Sequence, residues 1–267
     1  MRTDVRGSGG RAADGDNGAV GDNGDNGDNG DNGDNGERFG MREQFHEELG
    51  SLSDLLVEMT RMVGSAVNRA TIALLDADLT LAESVIAADE SVDNLQVQLE
   101  ERALALLARQ QPVATDLRLI VTGLRMSADL ERMGDLARHV AKLARMRYPE
   151  SAIPPELRAT ILQMGQTADR IVAKAGSVIA SRDLTIAGEL ETDDDVMDGL
   201  HRELFTVLLD DEWKYGIEAA VDVTLCGRFY ERFADHAVSV ARRVTFLVTG
   251  ERVPTVREHG LGDARTC

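Results

Sequence analysis

The stretch LERMGD at residues 130–135 decides the fold, because it returns one hundred residues later as YERFAD at residues 230–235. When residues 130–142 are aligned with residues 230–242, six of the thirteen positions are identical. Each copy carries a Glu and an Asp four residues apart, and on a helix such a pair lies on one face. The recurrence indicates two copies of one structural unit.

Both copies lie in long patterns in which apolar residues recur at spacings of three and four, the period of a helix with one buried face. In the first copy the predicted core positions are Leu119, Gly123, Met126, Leu130, Met133, Ala137, Val140 and Ala144. In the second copy they are Tyr230, Phe233, Ala237, Val240, Val244 and Leu247. The acid pairs are predicted to point nearly opposite to these core positions.

Breakers divide the chain into six predicted helices, at about residues 42–75, 79–109, 113–147, 155–180, 184–209 and 217–248. Pro149, Pro154 and Pro155 mark a linker between the third helix and the fourth. The short turns elsewhere make neighbouring helices antiparallel. The predicted fold class is all-α, a tandem repeat of two three-helix bundles. The first bundle is assigned to residues 41–150 and the second to residues 151–251.

Residues 1–40 are predicted to be a disordered tail. Asp-Asn-Gly triplets run from residue 22 to residue 36, and this composition favours turns and offers no apolar residue to bury. A calcium loop is excluded, because a three-residue period does not supply the alternate acids and the Glu at position twelve of an EF-hand. The tail is either an appendage or the product of a start site read upstream of Met41. Residues 252–267 are predicted to be a flexible C-terminal tail.

The charge balance argues against one class of partner. The chain has 47 acidic and 29 basic residues, a net charge of −18, whereas non-specific nucleic-acid binding depends on Lys and Arg that neutralise phosphates. No stretch approaches eighteen uncharged apolar residues, and the N-terminus has no apolar secretory segment. We expect a cytoplasmic protein without direct membrane insertion, which would reach the inner face of the membrane only through partners. Cys226 and Cys267 lack metal-ligand spacing and are expected to be reduced thiols.

Two acid pairs, Glu131 with Asp135 and Glu231 with Asp235, are the candidate metal ligands. Two negative charges one helical turn apart repel each other unless something positive lies between them. Carboxylates coordinate hard and borderline cations. The alternative is a solvated acidic face, which a chain with 28% charged residues readily produces. The tandem recurrence, on a face that is apolar upstream, leaves both interpretations open.

Further acids occupy matching positions in the preceding helix of each half. Asp93 corresponds to Asp198, and Asp89, one turn away, corresponds to Asp194. Across a pair of antiparallel helices these carboxylates could add ligands to the two acid pairs. The alternative, an ordinary acid on a helix surface, is the more common situation.

Histidines and arginines lie beside the acid pairs. His139 and His236 could be auxiliary ligands, although satisfied or exposed histidines are more common. Arg132 and Arg232 recur with the motif and could bind an anion such as phosphate, but an ion pair with acids of an adjacent helix is the more frequent arrangement. A basic cluster in the third helix suits the negative end of the helix dipole or forms a docking patch. It consists of Arg138, Lys142, Arg145 and Arg147.

Motifs of several enzyme classes are absent from the sequence. It has no Gly-rich phosphate loop with Lys-Ser/Thr, no Gly-x-Ser-x-Gly and no His-Glu-x-x-His. Di-iron carboxylate bundles carry Glu-x-x-His on two helices, whereas this pattern is found here at residues 43–46, at a helix start and without a partner. The sequence also shows no nucleophile and base whose spacing would bring them together.

In combination, these motifs resemble those of the PhoU family, bacterial regulators of phosphate signalling. The phrases that carry the resemblance are LERMGD at 130–135, YERFADHA at 230–237 and the ending VTFLVTGE at 244–251. The opening MREQFHEEL at 41–49 and the turn ARQQPVATDLR at 108–118 are similar as well. The resemblance covers about residues 41–251, and the Asp-Asn-Gly tail departs from it.

The resemblance implies metal binding through Glu131, Asp135, Glu231 and Asp235, with the ion (iron, zinc, manganese or magnesium) left open. It implies a non-enzymatic adaptor, often a homodimer, that links the ATP-binding subunit of the phosphate ABC transporter to a sensor histidine kinase. Such an adaptor restrains phosphate-starvation genes when phosphate is plentiful. Two rivals stay open: a carboxylate-bridged metalloenzyme, and a metal-free helical adaptor whose acids form only salt bridges.

Overall fold

A computed structural model of the chain describes residues 32–110 and 112–251. The regular structure of this part of the chain is helical, as predicted. It comprises α1 (Asn32–Asp76), α2 (Leu79–Gln110), α3 (Ala114–Arg147), a 3-10 turn (Pro155–Leu157), α4 (Arg158–Ser181), α5 (Leu184–Leu208) and α6 (Gly216–Thr249). The rest of the predicted tails, at residues 1–31 and 252–267, lies outside the described residues, and so does Cys267.

Local sequence explains where several helices begin and end. Asp183 caps the start of α5, where its side chain accepts a 2.8 Å hydrogen bond from the backbone N–H of Thr185. Arg182, with φ 57°, and Gly250, with φ 77°, take the left-handed conformation that ends α4 and α6. Pro155 opens the 3-10 turn before α4, since the first turn of a helix needs no backbone donor from it.

Helix α1 begins at Asn32, well before the predicted start at about residue 42. Residues 32–40, which the sequence analysis assigned to the disordered tail, are therefore helical. Once later turns have nucleated a helix, each further residue adds a hydrogen bond for a small entropic cost. Glu37 and Arg38 are also good helix formers, so the helix can extend backward through them.

The compact unit that begins at Arg42 contains both halves of the repeat. In the first half α2 packs on α3, and in the second half α5 packs on both α4 and α6. The halves also pack on each other, because α3 lies against α6 and one continuous core runs through both. The largest fully buried side chains include Leu130, Met133, Tyr230 and Phe233, which are predicted core positions within the repeated motif.

Helices α1 and α4 approach each other closely where glycine permits it. A Cβ atom on Gly165 would lie 2.5 Å from Cγ2 of Thr71, and a Cβ atom on Gly176 would lie 2.5 Å from Oγ1 of Thr60. The hydroxyl of Thr71 also shares a 2.7 Å hydrogen bond with the hydroxyl of Tyr230 in α6. Helix α1 therefore contacts two helices of the second half.

Candidate functional site: two acidic clusters

The packing of α2 on α3 brings four acids together in the first half. Helix α2 supplies Asp89 and Asp93, and α3 supplies Glu131 and Asp135; we call these residues the first cluster. Burial raises the pKa of Glu131, and the negative charges of Asp135, Asp93 and Asp89 raise it further. The four carboxylates are therefore close enough to influence one another, so the predicted proximity across the helix pair is found.

Two members of the first cluster, Asp89 and Asp135, are largely shielded from solvent, whereas Asp93 is exposed. The side chain of Asp89 is 6% exposed and that of Asp135 is 13% exposed. Gly134 leaves room for this arrangement, because a Cβ atom there would lie 3.4 Å from Oδ1 of Asp89. The groove between α2 and α3 thus holds negative charge away from water, where repulsion is poorly screened.

Arg138 enters the first cluster from α3. Its Nη1 atom pairs with Oδ2 of Asp89, and its Nη2 atom donates a hydrogen bond to Oδ1 of Asp135. The pKa of Asp89 is nevertheless raised, because burial outweighs the positive charge of Arg138. Arg132 adds a second ion pair, with its Nη1 atom 3.0 Å from Oδ2 of Asp135, so it pairs within its own helix and not with an adjacent one.

The position of Arg138 between two acids was not predicted, because the basic cluster of α3 indicated only a helix end or a docking patch. Residues three apart share a face of a helix, and this spacing carries the side chain from α3 back to Asp135. The spacing was visible in the sequence, but the packing of α2 that brings Asp89 within reach was not. Arg138 therefore lies between two carboxylates and is 28% exposed.

The packing of α5 on α6 gathers the matching acids of the second half. Helix α5 supplies Asp194 and Asp198, and α6 supplies Glu231 and Asp235; we call these residues the second cluster. Burial raises the pKa of Asp194 to about 7, and the charges of Asp198 and Asp235 contribute to the increase. Burial and the charge of Asp235 also raise the pKa of Glu231. Burial and repulsion therefore dominate at Asp194 and Glu231, whereas Asp235 is exposed.

Basic partners are fewer in the second cluster than in the first. Arg228 pairs with Glu231 one turn away. No ion pair joins a basic side chain to any of the other three carboxylates within the described part of the chain. Arg242 is near enough to lower the pKa of Asp194, but it pairs with Glu191, whose Oε1 atom lies 3.2 Å from its Nε atom.

The two clusters differ at one matched position. One hundred residues after Arg138 the chain carries Val238, whose side chain is buried. A valine cannot bridge carboxylates, so the second cluster has no counterpart of the guanidinium that joins Asp89 to Asp135.

The carboxylate donors of both clusters suit a hard cation. Among the described residues, however, no three His, Cys, Asp or Glu side chains are grouped closely enough to hold a metal ion. Metal binding stays a prediction for all the candidate ligands, which are Glu131, Asp135, Glu231 and Asp235, with Asp93 and Asp198.

His236, a predicted auxiliary ligand, lies instead in the interface between α3 and α6. Its Nδ1 atom lies 3.1 Å from Oδ1 of Asp129. Ser239 and Arg243 donate to Oδ2 of the same carboxylate at 3.2 Å and 2.7 Å. Burial alone would raise the pKa of Asp129, but the hydrogen bonds with His236 and Arg243 hold it below its usual value.

His139 lies elsewhere in the same interface, where it stacks on Phe229 with ring centroids 5.3 Å apart. Phe229 stands at the position that matches Asp129, so one half contributes an aromatic ring where the other contributes a carboxylate. Burial lowers the pKa of His139. This interface between α3 and α6 was not predicted from the sequence. The available signal was Leu136 and Leu143, which lie outside the predicted core positions of α3 and are both buried.

Arg147, the last residue of α3, joins that helix to the start of α6. Its guanidinium pairs with Glu218 and with Asp222, which is 4% exposed. Arg147 of the predicted basic cluster is therefore engaged within the fold. One turn beyond Asp222, Cys226 is free and buried.

Comparison with known protein families gives two matches of the same domain. The family model described as PhoU domain matches residues 56–144 and residues 161–244. The matched segments contain both acid pairs and both halves of the core.

Relatives of known name cover most of the chain. It is 54% identical over 210 residues to the phosphate-specific transport system accessory protein PhoU homolog 2 of Mycobacterium tuberculosis, covering 79% of this chain and 99% of the relative. It is 52% identical over 210 residues to PhoU homolog 1 of Mycobacterium leprae, covering 79% of this chain and 95% of the relative.

Solved structures have the same fold. The crystal structure of PhoU from Pseudomonas aeruginosa has a TM-score of 0.71 and 32% identity, covering 78% of this chain and all of that chain. The phosphate transport system regulatory protein PhoU from Streptococcus pneumoniae has a TM-score of 0.69 and 25% identity, covering 79% of this chain and 99% of that chain.

Proposed function

The chain belongs to the PhoU family, and from this we propose that it regulates phosphate uptake and the phosphate-starvation response. The observation that carries the proposal is the 54% identity over 99% of a relative named as a phosphate-specific transport system accessory protein. In this proposal the protein is a non-enzymatic adaptor. It links the ATP-binding subunit of the phosphate ABC transporter to a sensor histidine kinase, and it restrains signalling when phosphate is plentiful.

Exposed apolar side chains support a role in docking. Ile217, Val221 and Leu225 follow each other at intervals of four residues along α6 and are 84%, 50% and 45% exposed. We call these three residues the α6 stripe. Residues four apart lie on one face of a helix, and exposed apolar patches commonly mark surfaces that bind other proteins.

The first half repeats this feature on α3. Leu117 and Val121 of α3 are also four residues apart and exposed, and exposed Val113 lies just before the helix begins. Leu117 and Val121 match Ile217 and Val221 of the α6 stripe. An adaptor with two similar apolar stripes can engage two partners, or two copies of one partner, and this suits a link between a transporter and a kinase.

Partners would also set where the protein acts. Within the described residues, no helix combines the length and the apolar character that a membrane span requires. We propose a cytoplasmic homodimer that reaches the inner face of the membrane through the transporter or the kinase.

Metal ions would stabilise the clusters of this adaptor. Carboxylates of Glu231, Asp235 and Asp198 would hold a divalent or trivalent ion in the second half, and those of Glu131 and Asp135, with Asp93, would be the candidates in the first half. A bound ion would neutralise carboxylates that otherwise repel each other and would crosslink neighbouring helices. The protein surface that partners contact would then depend on whether a metal ion is bound to the clusters.

The experiment for the proposed function is deletion of the chromosomal copy, followed by complementation with the full chain. In medium rich in phosphate, deletion should derepress phosphate-starvation genes, and the full chain should restore repression. A tagged full chain should also co-purify the ATP-binding subunit of the phosphate transporter. Unchanged expression after deletion, together with absence of that subunit from the eluate, would contradict the proposal.

A matched pair of variants tests the docking surface. The double substitution Ile217→Ser with Val221→Ser should reduce recovery of the ATP-binding subunit at least about tenfold, because burying two such side chains stabilises an interface by roughly 1.5–3 kcal/mol each. The control is Ile72→Ser with Leu162→Ser, whose parent side chains are each 44% exposed on α1 and α4. Equal loss in both variants would contradict a role for the α6 stripe.

A further inference from the structure

We propose that an apolar groove between the end of α5 and the start of α6 binds an amphipathic helix of a partner protein, with basic side chains of that helix facing the acids at one end of the groove. The inference rests on the docking role proposed above for the α6 stripe and adds the chemistry of the partner. The α6 stripe together with Phe205 and Leu209 is called the apolar groove.

The packing of α5 on α6 forms this groove. The two helices are joined by a short connection, so they run in opposite directions. Gly227 of α6 fixes their register, because a Cβ atom there would lie 2.7 Å from Cδ1 of Leu204 and 3.0 Å from Cδ2 of His201. The rings of His201 and Phe205 have centroids 5.0 Å apart. The end of α5, with Phe205 and Leu209, therefore lies beside the α6 stripe.

The side chains of the apolar groove are open to solvent. Phe205 is 38% exposed and Leu209 is 82% exposed, next to the exposed side chains of the α6 stripe. Large apolar side chains of two neighbouring helices thus line one surface. Grooves of this kind bind the apolar face of an amphipathic helix, whose anchoring side chains recur at spacings of three and four residues.

The matching groove of the first half is interrupted by charges. The alignment of α2 with α5 by their acids places Glu100 at the position of Phe205, and the alignment of α3 with α6 places Arg125 at the position of Leu225. Both of these charged residues are exposed. The acids of the first half are also paired already, because Arg138 lies among them. We therefore expect the partner helix to select the second half.

The charge of the groove identifies the kind of helix that fits it. Residues 194–235, which form both walls and the connection between them, carry eleven acids and four bases. Asp198 lies two turns before Phe205 on the same face of α5, so the apolar groove leads into the second cluster. Asp194, Asp198 and Asp235 have no ion pair in the part of the chain that the structure describes. A helix with basic side chains about two turns beyond its apolar ones complements both parts.

The same charge argues against two other occupants. A second copy of this chain would bring the same acids to the groove, and like charges that face each other across an interface cost affinity. An anionic lipid surface attracts basic segments and repels an acidic one. The groove is therefore assigned to a basic helix of another protein.

Trp213, the single tryptophan of the chain, gives a direct readout of binding. It lies in the connection between α5 and α6, four residues from both Leu209 and Ile217, and its Nε1 atom donates a 2.8 Å hydrogen bond to the carbonyl of Gly216. The probe is a synthetic helical peptide without tryptophan, with leucines on one face of its first two turns and lysines on the same face of its last two turns. It is titrated into the full chain in the presence of a chelator, which keeps metal ions off the carboxylates.

The peptide should bind the parent chain and change the emission of Trp213 to saturation. Leu209→Ser with Val221→Ser should weaken binding at least about tenfold, because burial of a single such side chain is worth this ratio. The control is the pair at matching positions of the first half, Leu104→Ser with Val121→Ser, which should change the affinity by less than about twofold. No binding to the parent, or an equal loss in both variants, would overturn the proposal.

Two further measurements keep this comparison sharp. Isothermal titration of the same samples gives the affinity if a substitution changes the emission of Trp213 by itself. Circular dichroism checks the fold, and Leu209→Ser alone, at a position 82% exposed, carries the test if the double variant melts early.

Control peptides test the chemistry of the partner. A scrambled peptide of the same composition should bind at least about tenfold more weakly, and a peptide with glutamate in place of lysine should not bind. Equal binding of the scrambled peptide would reduce the effect to general attraction between a basic peptide and an acidic chain, and it would overturn the proposal.

Other occupants are distinguishable outcomes. If sedimentation shows a dimer in the parent and a monomer in Leu209→Ser with Val221→Ser, the groove belongs to a second copy. If vesicles of phosphatidylglycerol bind the parent and not this variant, it belongs to a lipid surface. Either result would overturn the proposal.

The outcome is separable from that of the proposed function. Absence of peptide binding, with the ATP-binding subunit still recovered by the tagged chain, would overturn only the partner chemistry assigned to the groove. Unchanged gene expression after deletion, together with absence of that subunit from the eluate, would overturn the proposed function and leave the peptide result intact.

Discussion

Asp129 joins the two halves through three hydrogen-bonding partners on α6. Its carboxylate meets His236, Ser239 and Arg243 at 3.1, 3.2 and 2.7 Å, and its side chain is 12% exposed. Hydrogen bonds to a charged group are stronger than those between neutral groups. This carboxylate therefore helps to fix the packing of α3 on α6. His236 takes part in that interface and not in the predicted ligand set.

Asp129→Asn should destabilise the chain by about 1.5–3 kcal/mol, the usual worth of hydrogen bonds to a charged group. The amide keeps the shape but removes the charge that faces Arg243, and its NH₂ group cannot accept a hydrogen bond. Urea denaturation followed by circular dichroism measures the change. The control is Asp54→Asn, at an exposed position of α1, which should change stability by less than about 0.5 kcal/mol. Equal effects in the two variants would contradict the assignment.

The same carboxylate predicts a pH dependence. The pKa of Asp129 in the folded chain lies below its ordinary value of 3.8, so the unfolded chain binds this proton more readily. Its contribution to stability is complete above pH 3.8 and decreases as the pH falls below that value toward the folded pKa. The stability difference between the parent and Asp129→Asn should shrink as the pH falls below about 4. A difference that grows on acidification would contradict the sign.

At the scale of single residues, the sequence allowed the acids to be paired but not their counter-ions to be found. Asp89 and Asp93 could be assigned to the same site as the acids of α3 because both halves carry acids at these positions, with Asp194 and Asp198 in the second half. The role of Arg138 depends on the distance between α2 and α3. That distance cannot be deduced from the spacing of residues along one helix. The sequence shows Val238 at the position that matches Arg138. The difference can be interpreted only because the structure places Arg138 between two carboxylates.

Among the helices, α1 and α4 depend on small residues at their point of closest approach. Gly176 lies opposite Thr60, and Gly165 lies opposite Thr71. Both threonine hydroxyls donate to backbone carbonyls of their own helix at 2.7 Å. Glycine in a helix interior costs stability relative to alanine, so its presence here is explained by packing between the helices.

Gly176→Ala should destabilise the chain by about 1–3 kcal/mol, the usual cost of overpacking, because the new Cβ atom would lie 2.5 Å from Oγ1 of Thr60. Removing that hydroxyl with Thr60→Ala should recover at least half of the loss, since the next nearest atom of Thr60 is at 3.4 Å. A double-mutant cycle in urea measures the coupling. The control is Gly188→Ala in α5, where no atom lies within 4 Å; it should stabilise the chain by up to about 1 kcal/mol. Lack of coupling would contradict direct contact.

The end of α6 and the start of α5 were predictable because their causes are local, whereas the start of α1 was not. The stop at Gly250 and the cap at Asp183 are properties of single residues. The contact between α3 and α6 was not predictable, because the spacing of three and four residues in α3 predicts only one buried face. Leu136 and Leu143 form part of a second buried region on that helix, and an apolar residue outside a regular stripe does not identify its partner.

For the whole molecule, the duplication predicts two bundles but does not predict that they pack together around one core. The two halves are alike at the acid pairs and differ at positions where they meet, as Asp129 against Phe229 illustrates. An interface between two copies needs complementary surfaces, so matched positions there can diverge while the copies keep one fold. One continuous core runs through both halves as a result.

Separation of the halves should therefore unfold them. Fragments 42–150 and 151–251, expressed alone, would each expose the apolar surface that α3 and α6 bury against each other. A domain is typically stable by only about 5–15 kcal/mol, and exposed apolar surface costs roughly 25 cal/mol per Å². Each fragment should show reduced helicity and no cooperative melting by circular dichroism, and mixing the two should restore both. If each fragment alone melted cooperatively at the temperature of the full chain, the halves would be independent domains. The intact chain with a protease site inserted at residue 151 is the control, because cutting it after folding leaves both halves assembled and should preserve the melting transition.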